Sequence, residues 1–277
     1  AEVWRSKNLN PRTNKWVKVA DKGFGDSMNS NIMSTGQFKE HLYVAVTKQI
    51  PLALFIPLGF DLIRIDKNDN WQLIAGGTPL SPSVPTKGKR NKSLSGFNAG
   101  FNNVFNVYGW QIKEFKDNLI LTTYDSSTNI KTLLVDIMYN EDFYIEKIGR
   151  KNYTKLVHAY KKIYALLCKY NFPKGFDMYY SKDGCYFEPV VLSGLNNPNN
   201  YGGRTLYVSC ENELYLGTAN PFEGLEVWKV DYSSCGQNYS NKMIHSYFKE
   251  LNMLNKQLVK VYPTLLCIVP QILQMNM

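Results

Sequence analysis

The chain has 277 residues, and its content of 44% hydrophobic and 20% charged residues excludes a disordered protein, because enough apolar surface is present to form a large core. The net charge of +9 arises mainly from lysines scattered along the chain, a distribution that does not favour nucleic-acid binding. The five cysteines form no CxxC pair, so neither a zinc site nor a regular disulfide framework is indicated.

Strand-like runs dominate the chain up to residue 230. Residues 1–19 predict a strand pair, which we expect to join strands from the other end of the chain. Runs of β-branched and aromatic residues between turn residues predict further strands. These runs lie at residues 32–38, 42–47, 60–65 and 71–75, at residues 109–115, 119–124, 132–137 and 143–148, and at residues 176–180, 187–192, 205–209, 214–218 and 226–230.

Other segments are less regular. Residues 153–170 carry apolar residues at both helical and strand spacings, and alignment with the other copies favours strands. Residues 240–256 predict a helix, and residues 259–274 form an apolar run broken by two prolines. We expect this tail, residues 231–277, to complete the last sheet or to pack on it. The apolar insertion at residues 51–57 is too short to span a membrane, and no transmembrane segment is predicted.

The predicted strands belong to a repeated unit. Its start recurs as AEVW at residue 1, GFDLI at residue 59, GFDMY at residue 175 and GLEVW at residue 224. A small antiparallel sheet cannot bury its faces alone, and repeated four-strand units solve this by packing around a common axis. We therefore predict an all-β fold, a β-propeller of four or five four-stranded antiparallel blades spanning residues 1–230.

An acid occupies the same place in each copy of that start, as Glu2, Asp61, Asp177 and Glu226. Because every copy carries it, we expect this acid to make turn or inter-blade hydrogen bonds and not to act in catalysis. The turn SKDGCYF at residues 181–187 resembles the Asp-box of sialidases and related propellers. The resemblance implies that Asp183 holds the turn by accepting backbone N–H bonds.

Three loops share the pattern G[FL][GN][DN]xxN, at residues 23–29, 100–106 and 194–200. In a propeller they lie on one face near the axis. One interpretation is structural, because Asn and Asp tolerate left-handed backbone and cap loops. The other is that their side chains bind a sugar, or a cation such as calcium. The loop residues concerned are Asp26, Asn29, Asn103, Asn106, Asn197 and Asn200.

What differs between copies is the better indicator of function. Tyr108 and Trp110 follow one loop, Tyr201 and Arg204 follow another, and the first loop has no counterpart of either. Aromatic rings beside amides and an arginine suit a carbohydrate or another small polar ligand. Together with the six loop residues, these four complete the predicted ligand site.

The units resemble bacterial-type propeller repeat proteins with the forms GxEVWRS, GFGDxxN, LYVGT and NxxNYGxRTL. The matching segments are residues 2–6, 23–29, 214–218 and 197–206. The resemblance implies a propeller and a secreted or surface location, and it implies no particular activity. Asn-X-Ser/Thr triplets would permit glycosylation after secretion.

The leading hypothesis is a non-enzymatic protein that binds a carbohydrate or similar polar ligand at the axial face. No GxSxG, P-loop or HExxH motif is present, and the histidines lie in no recognisable motif. A glycoside hydrolase is the alternative; it requires two carboxylates in one pocket, and Asp26 is the only loop acid that qualifies. A protein-interaction scaffold is the third hypothesis. No cofactor is predicted apart from calcium as the alternative loop ligand, and the oligomeric state is left open.

Overall fold

The computed structural model describes residues 1–7, 15–230 and 239–274. The fold is mixed α/β, with 34% of residues in helices and 31% in strands. Over the described residues the strands include a curled half-barrel sheet and form no propeller blades. The predicted all-β propeller of four or five blades is therefore wrong.

The strands pair only antiparallel. Their bounds are β1 Val3–Ser6, β2 Trp16–Ala20, β3 Asn29–Phe38, β4 His41–Lys48, β5 Asp61–Ile65, β6 Trp71–Ala75, β7 Asn106–Phe115, β8 Asn118–Asp125, β9 Met178–Ser181, β10 Glu188–Val191, β11 Gly202–Val208, β12 Leu214–Ala219 and β13 Val227–Lys229. By hydrogen bonding they form a pair β1-β2, a four-stranded sheet in the order β3-β4-β5-β6, and a seven-stranded sheet in the order β10-β9-β8-β11-β12-β13, with β7 also paired to β8.

The amino-terminal strands do not join the other end of the chain, contrary to expectation. β1 and β2 pair with each other in antiparallel register. Val19 and Ala20 at the end of β2 are buried against apolar side chains of β4, β5 and β6. The pair is therefore held by the neighbouring four-stranded sheet.

Helices occupy residues that we predicted to be strands. The helices are α1 Leu52–Phe55, α2 Ile130–Tyr139, α3 Glu141–Lys169, α4 Asn241–Leu258 and α5 Tyr262–Gln274. The strands predicted at residues 132–137, 143–148 and 153–170 are wrong, because α2 and α3 cover them. α3 is interrupted at Gly149, where φ is 76°, and after this point most of the residues it buries recur at spacings of three and four, which places them on one face of a helix. They include Leu156, Tyr160, Ile163 and Leu167.

These helices form a second apolar core beside the sheet. Side chains of α1 to α5 share one buried cluster, and the helix predicted at residues 240–256 is present as α4. The insertion at residues 51–57 anchors this layer: Tyr160 donates to the Phe55 carbonyl at 2.6 Å, and Tyr262 donates to the Pro57 carbonyl at 2.8 Å. None of the helices described has both the length and the apolarity to cross a membrane.

The turn predicted from the Asp-box resemblance is built as expected. Asp183 Oδ1 accepts the backbone N–H groups of Cys185 and Tyr186, each at 2.8 Å. Asp66 plays the same part between β5 and β6, accepting from the amides of Asn68 and Asn70 at 2.9 and 2.8 Å. The sequence predicted this role for Asp183, and the structure shows it for Asp66 as well.

Candidate functional site

The three repeated loops share one backbone conformation. Gly23, Gly100 and Gly194 have φ of 59°, 63° and 62°, and the residue after each is also left-handed. Glycine suits this region because it has no Cβ to clash with the backbone. Six residues later, each loop closes through an asparagine: the Nδ2 atoms of Asn29, Asn106 and Asn200 donate to the carbonyl of their loop's glycine at 2.9, 3.1 and 3.0 Å.

Each closing asparagine also donates to the acid that recurs along the sequence. Asn29 donates to Asp61 at 2.8 Å, Asn106 to Asp177 at 2.7 Å and Asn200 to Glu226 at 2.9 Å. The asparagine precedes or begins the first strand of its unit, and the acid precedes or begins the third. The prediction that this acid makes structural hydrogen bonds is therefore confirmed for these three copies.

A lysine completes the first of these arrangements, which we call the Lys48 network: Asp26, Asn29, Lys48, Asp61 and Arg90. Lys48 Nζ lies 2.7 Å from Asn29 Oδ1 and 3.0 Å from an oxygen of each aspartate. Arg90 Nη2 lies 3.0 Å from Asp61 Oδ2. Two cationic and two anionic side chains are buried together, so their charges balance.

Within the Lys48 network, Asp26 is held as a carboxylate. Burial alone raises the pKa of an acid, but here the charge of Lys48 and the amides of Ser81 and Leu80 outweigh it and lower the pKa of Asp26. The two amides donate to Asp26 at 3.0 and 3.1 Å. Asp26 therefore fastens the loop at residues 80–82 to the network.

The second arrangement contains no cation among its members, which are Asn103, Asn106, Asp125, Asp177 and Tyr247. We call it the Asp125 network. Asn103 Nδ2 lies 3.2 Å from Asp125 Oδ2 and 3.3 Å from Asp177 Oδ2, so one amide serves two carboxyl groups. Tyr247 of α4 donates to the same Asp177 oxygen at 3.3 Å. Asp125 and Asp177 are 0% and 1% exposed.

Burial raises the pKa of both acids in the Asp125 network. Burial, followed by the nearby charge of Asp177, raises the pKa of Asp125 to about 7 despite a hydrogen bond from Ser127. Burial also raises the pKa of Asp177, although Asn106, Asn103 and Tyr179 donate to it. Asp177 Oδ1 has no hydrogen-bond partner among the described atoms.

The third arrangement is partly open to solvent, because Glu223 is exposed and Asn197 and Glu226 are partly exposed. Its members are Asn197, Asn200, Asn220, Glu223 and Glu226, and we call it the Glu226 network. Asn197 Nδ2 donates to Glu223 at 2.8 Å and to Glu226 at 2.9 Å. Hydrogen bonds from these asparagines lower the pKa of both glutamates. Both are therefore carboxylates at neutral pH.

The predicted site residues separate into two sets. The loop residues turn inward: five of them are buried, only Asn197 is partly exposed, and each pair bonds within its own network. Five of the six are thus engaged in structural hydrogen bonds and are not exposed on a common face. The buried loop residues are Asp26, Asn29, Asn103, Asn106 and Asn200.

The other four predicted residues meet at the surface where β7, β8 and β11 lie side by side. The rings of Trp110 and Tyr201 are nearly parallel, at 19° with centroids 6.2 Å apart. Arg204 lies over the indole of Trp110, 4.7 Å from its centroid. Tyr108 contacts the edge of that indole, and Tyr124 stacks on Tyr108 at 4.9 Å. We call these five residues the aromatic face.

Several residues of these networks escaped the sequence analysis. Lys48 and Asp125 occupy equivalent positions in their units. Each ends the second strand and is paired in register with the closing asparagine. A register alignment of β3-β4 with β7-β8 would have found them. Arg90 lies in an irregular loop, and no sequence pattern indicates its contact with Asp61.

Comparisons with known proteins give no match, whether the chain is compared with protein-family models, with curated proteins or with solved structures. The resemblance to propeller repeat proteins therefore stays a prediction as far as ancestry is concerned. In the part of the chain that the structure describes, no group of three or more His, Cys, Asp or Glu side chains is placed to hold a metal ion.

Proposed function

We propose that this protein binds a carbohydrate or a similar small polar ligand on the aromatic face. The observation that carries the proposal is the pairing of two partly exposed, nearly parallel rings, Trp110 and Tyr201, with the Arg204 guanidinium over the indole of Trp110. Such a surface presents apolar ring faces next to hydrogen-bond donors. A sugar has the complementary combination, apolar C–H faces bordered by hydroxyl groups.

The scaffold beneath the aromatic face is suited to hold it rigid. Tyr108 and Tyr124 are buried under the exposed rings, and Tyr124 is fixed by a 2.8 Å hydrogen bond from Asn129. Gly202 on β11 lies directly against Trp110, where a Cβ atom would come within 2.1 Å of the indole. A ligand would therefore meet rings that are already ordered, which lowers the entropic cost of binding.

The hydrolase alternative has less support from the geometry. Asp26, the acid nominated from the sequence, is buried and paired with Lys48. Glu223 and Glu226 face solvent around Asn197, but the pKa of each is lowered, so neither supplies the protonated acid that glycoside hydrolysis requires. The acids with raised pKa, Asp125 and Asp177, are buried away from any substrate.

Binding to glycans, measured by array and then by calorimetry, tests the proposal. Replacing Trp110 with Ala removes the largest stacking surface, and we expect at least about tenfold weaker binding, which corresponds to about 1.4 kcal/mol. Arg204→Ala should weaken binding by a smaller factor, because this side chain is exposed. Trp16→Ala is the matched control, since Trp16 is 51% exposed on β2, outside the aromatic face.

The outcomes separate the hypotheses. Binding that survives both Trp110→Ala and Arg204→Ala contradicts the proposal, as does equal loss in Trp16→Ala. Turnover of an aryl glycoside that is lost in Glu223→Gln supports the hydrolase instead. Melting temperatures of all variants should be measured in parallel, so that loss of the fold is not taken for loss of the ligand.

A further inference from the structure

The outer boundary of the Asp125 network is formed by α4. Tyr247 of this helix donates to Asp177, and it is partly exposed whereas the acid is buried. Phe248 lies 5.3 Å from Phe97, centroid to centroid, and Asn255 Nδ2 donates to the Asn102 carbonyl at 2.7 Å. The helix thus covers the second repeated loop and stands between the two acids and water.

The groups around the acid pair supply no positive charge. The titratable side chains that face it are four tyrosines: Tyr124 on β8, Tyr179 on β9, Tyr247 on α4, and Tyr239 just before α4. Burial raises the pKa of all four, so they are neutral at neutral pH, and two of them, Tyr179 and Tyr247, donate to Asp177 at 3.1 and 3.3 Å. Within the described residues, no Lys, Arg or His forms an ion pair or hydrogen bond with either acid.

The hydrogen-bond donors of the network also disfavour a metal ion as the cation that would balance the charge of the two acids. Asn103 and Asn106 direct their N–H groups at Asp177, at 3.3 and 2.7 Å. Their amide oxygens are already used, by the Phe105 amide at 3.1 Å and the Thr123 hydroxyl at 2.8 Å. A cation prefers oxygen ligands and is repelled by N–H groups, whereas a proton fits this arrangement.

We propose that Asp125 and Asp177 share a single proton, and that this proton keeps α4 docked on the sheet. Two ionised carboxylates without a cation are strongly unfavourable in a buried site, so loss of the proton requires water to reach them. Tyr247 is partly exposed whereas the other members of the network are buried, so we expect water to enter beside it. Water entry there separates Tyr247 from Asp177 and loosens α4, which makes the helix a pH-dependent cover.

The direction of the pH effect follows from the proton balance. In the unfolded chain an aspartate releases its proton near about pH 4. In the folded protein burial moves the pKa of Asp125 to about 7. Between these values the folded state therefore binds more protons than the unfolded chain. The stability that the bound proton contributes to the folded state is full below about pH 4 and is lost as the pH rises through about 7.

Hydrogen exchange measured by mass spectrometry tests the proposal. We compare the wild type with Asp177→Asn, which keeps an oxygen acceptor for Tyr247 but removes the second carboxyl. After correction for intrinsic exchange, protection of residues 241–258 in the wild type should fall about tenfold between about pH 6 and about pH 8. A tenfold change is the effect of one lost proton over one pH unit. The loss of protection should be smaller in Asp177→Asn, because the variant removes the charge that helps to raise the pKa of Asp125 while the burial of Asp125 remains. Residues 41–48, which end at Lys48, are the internal control and should stay unchanged.

Three outcomes overturn the proposal: equal protection of α4 at both pH values in the wild type, the same loss in Asp177→Asn, or protection at the higher pH that returns with calcium and disappears with a chelator. The last would make the counter-charge a metal. If Asp177→Asn does not fold, infrared spectroscopy of the wild type decides instead. The carbonyl band of a protonated carboxyl should be present at the lower pH and absent at the higher one, and its absence at both contradicts a shared proton.

Discussion

The Lys48 network and the Asp125 network share one backbone conformation but differ in how the charge of their acids is balanced. Both consist of a left-handed glycine loop, a closing asparagine and an acid of the third strand. At the end of the second strand, however, one has a lysine where the other has an aspartate. The first is a neutral cluster of two cations and two anions, and the second is an acid pair whose members have raised pKa values.

This difference shows that the repeated loop fixes geometry but not electrostatics. The hydrogen bonds of the closing asparagine differ by no more than 0.2 Å between the networks. The position opposite it in register decides whether the buried acid is paired with a cation or must keep a proton. Substitutions at matched positions of the two networks should therefore have different effects on the free energy of unfolding.

The largest effect is expected for Asp61→Asn in the Lys48 network. Removing this charge leaves Lys48 and Arg90 buried with Asp26 alone, and breaking a buried ion pair from one side costs about 3–5 kcal/mol. Urea denaturation at neutral pH measures the free energy of unfolding.

The matched variant Asp177→Asn is the control for this prediction, and it should be no less stable than the wild type above about pH 7 because it relieves a like-charge pair. If the two variants lose equal stability at that pH, the charge contrast between the networks is wrong.

A smaller loss is expected for Asn103→Ala in the Asp125 network. Its Nδ2 group is shared by both carboxyl groups, and its removal leaves two buried acceptors with fewer donors. Lost donors to buried acceptors cost about 1–3 kcal/mol. The measurement is again the unfolding free energy, and a change below about 0.5 kcal/mol would mean that this amide does not hold the acids together.

The smallest effect is expected for Asn197→Ala, which is the counterpart of Asn103 in the Glu226 network. Asn197 is partly exposed, and its partner Glu223 is exposed, so water replaces the lost donor. Substitutions of this kind usually change stability by less than about 0.5 kcal/mol. A loss as large as that of Asn103→Ala would show that burial is not what separates the two networks.

Much of the local structure was predictable. Most strands between residues 32 and 124 were found from β-branched runs and turn residues, and the turn held by Asp183 was confirmed. The recurring acid was expected to make structural hydrogen bonds, and Asp61, Asp177 and Glu226 do so. These features depend on residues near one another in the sequence, or on a repeated pattern.

The main error came from extending the repeat into residues 132–170. The apolar residues of 153–170 fit both the helical and the strand period, and the assumption that every copy has four consecutive strands led to the wrong prediction of strands. The helices α2 and α3 are inserted between β8 and β9, so the second unit is interrupted in the sequence but continuous in the sheet. No local signal marks such an insertion, because the strands that pair across it are more than fifty residues apart.

Many of the loops, turns and strands could be predicted from the sequence, because glycine, asparagine and alternating apolar residues restrict the backbone locally. It also pointed to Tyr108, Trp110, Tyr201 and Arg204, whose meeting at one surface depends on the pairing of β7, β8 and β11. The tertiary structure was needed to show that the loop asparagines turn inward, that Lys48 balances one acid cluster and that nothing cationic balances the other within the described residues. Charge balance in a buried site is a property of side chains that arrive from distant strands, and burial itself sets which protonation state they adopt.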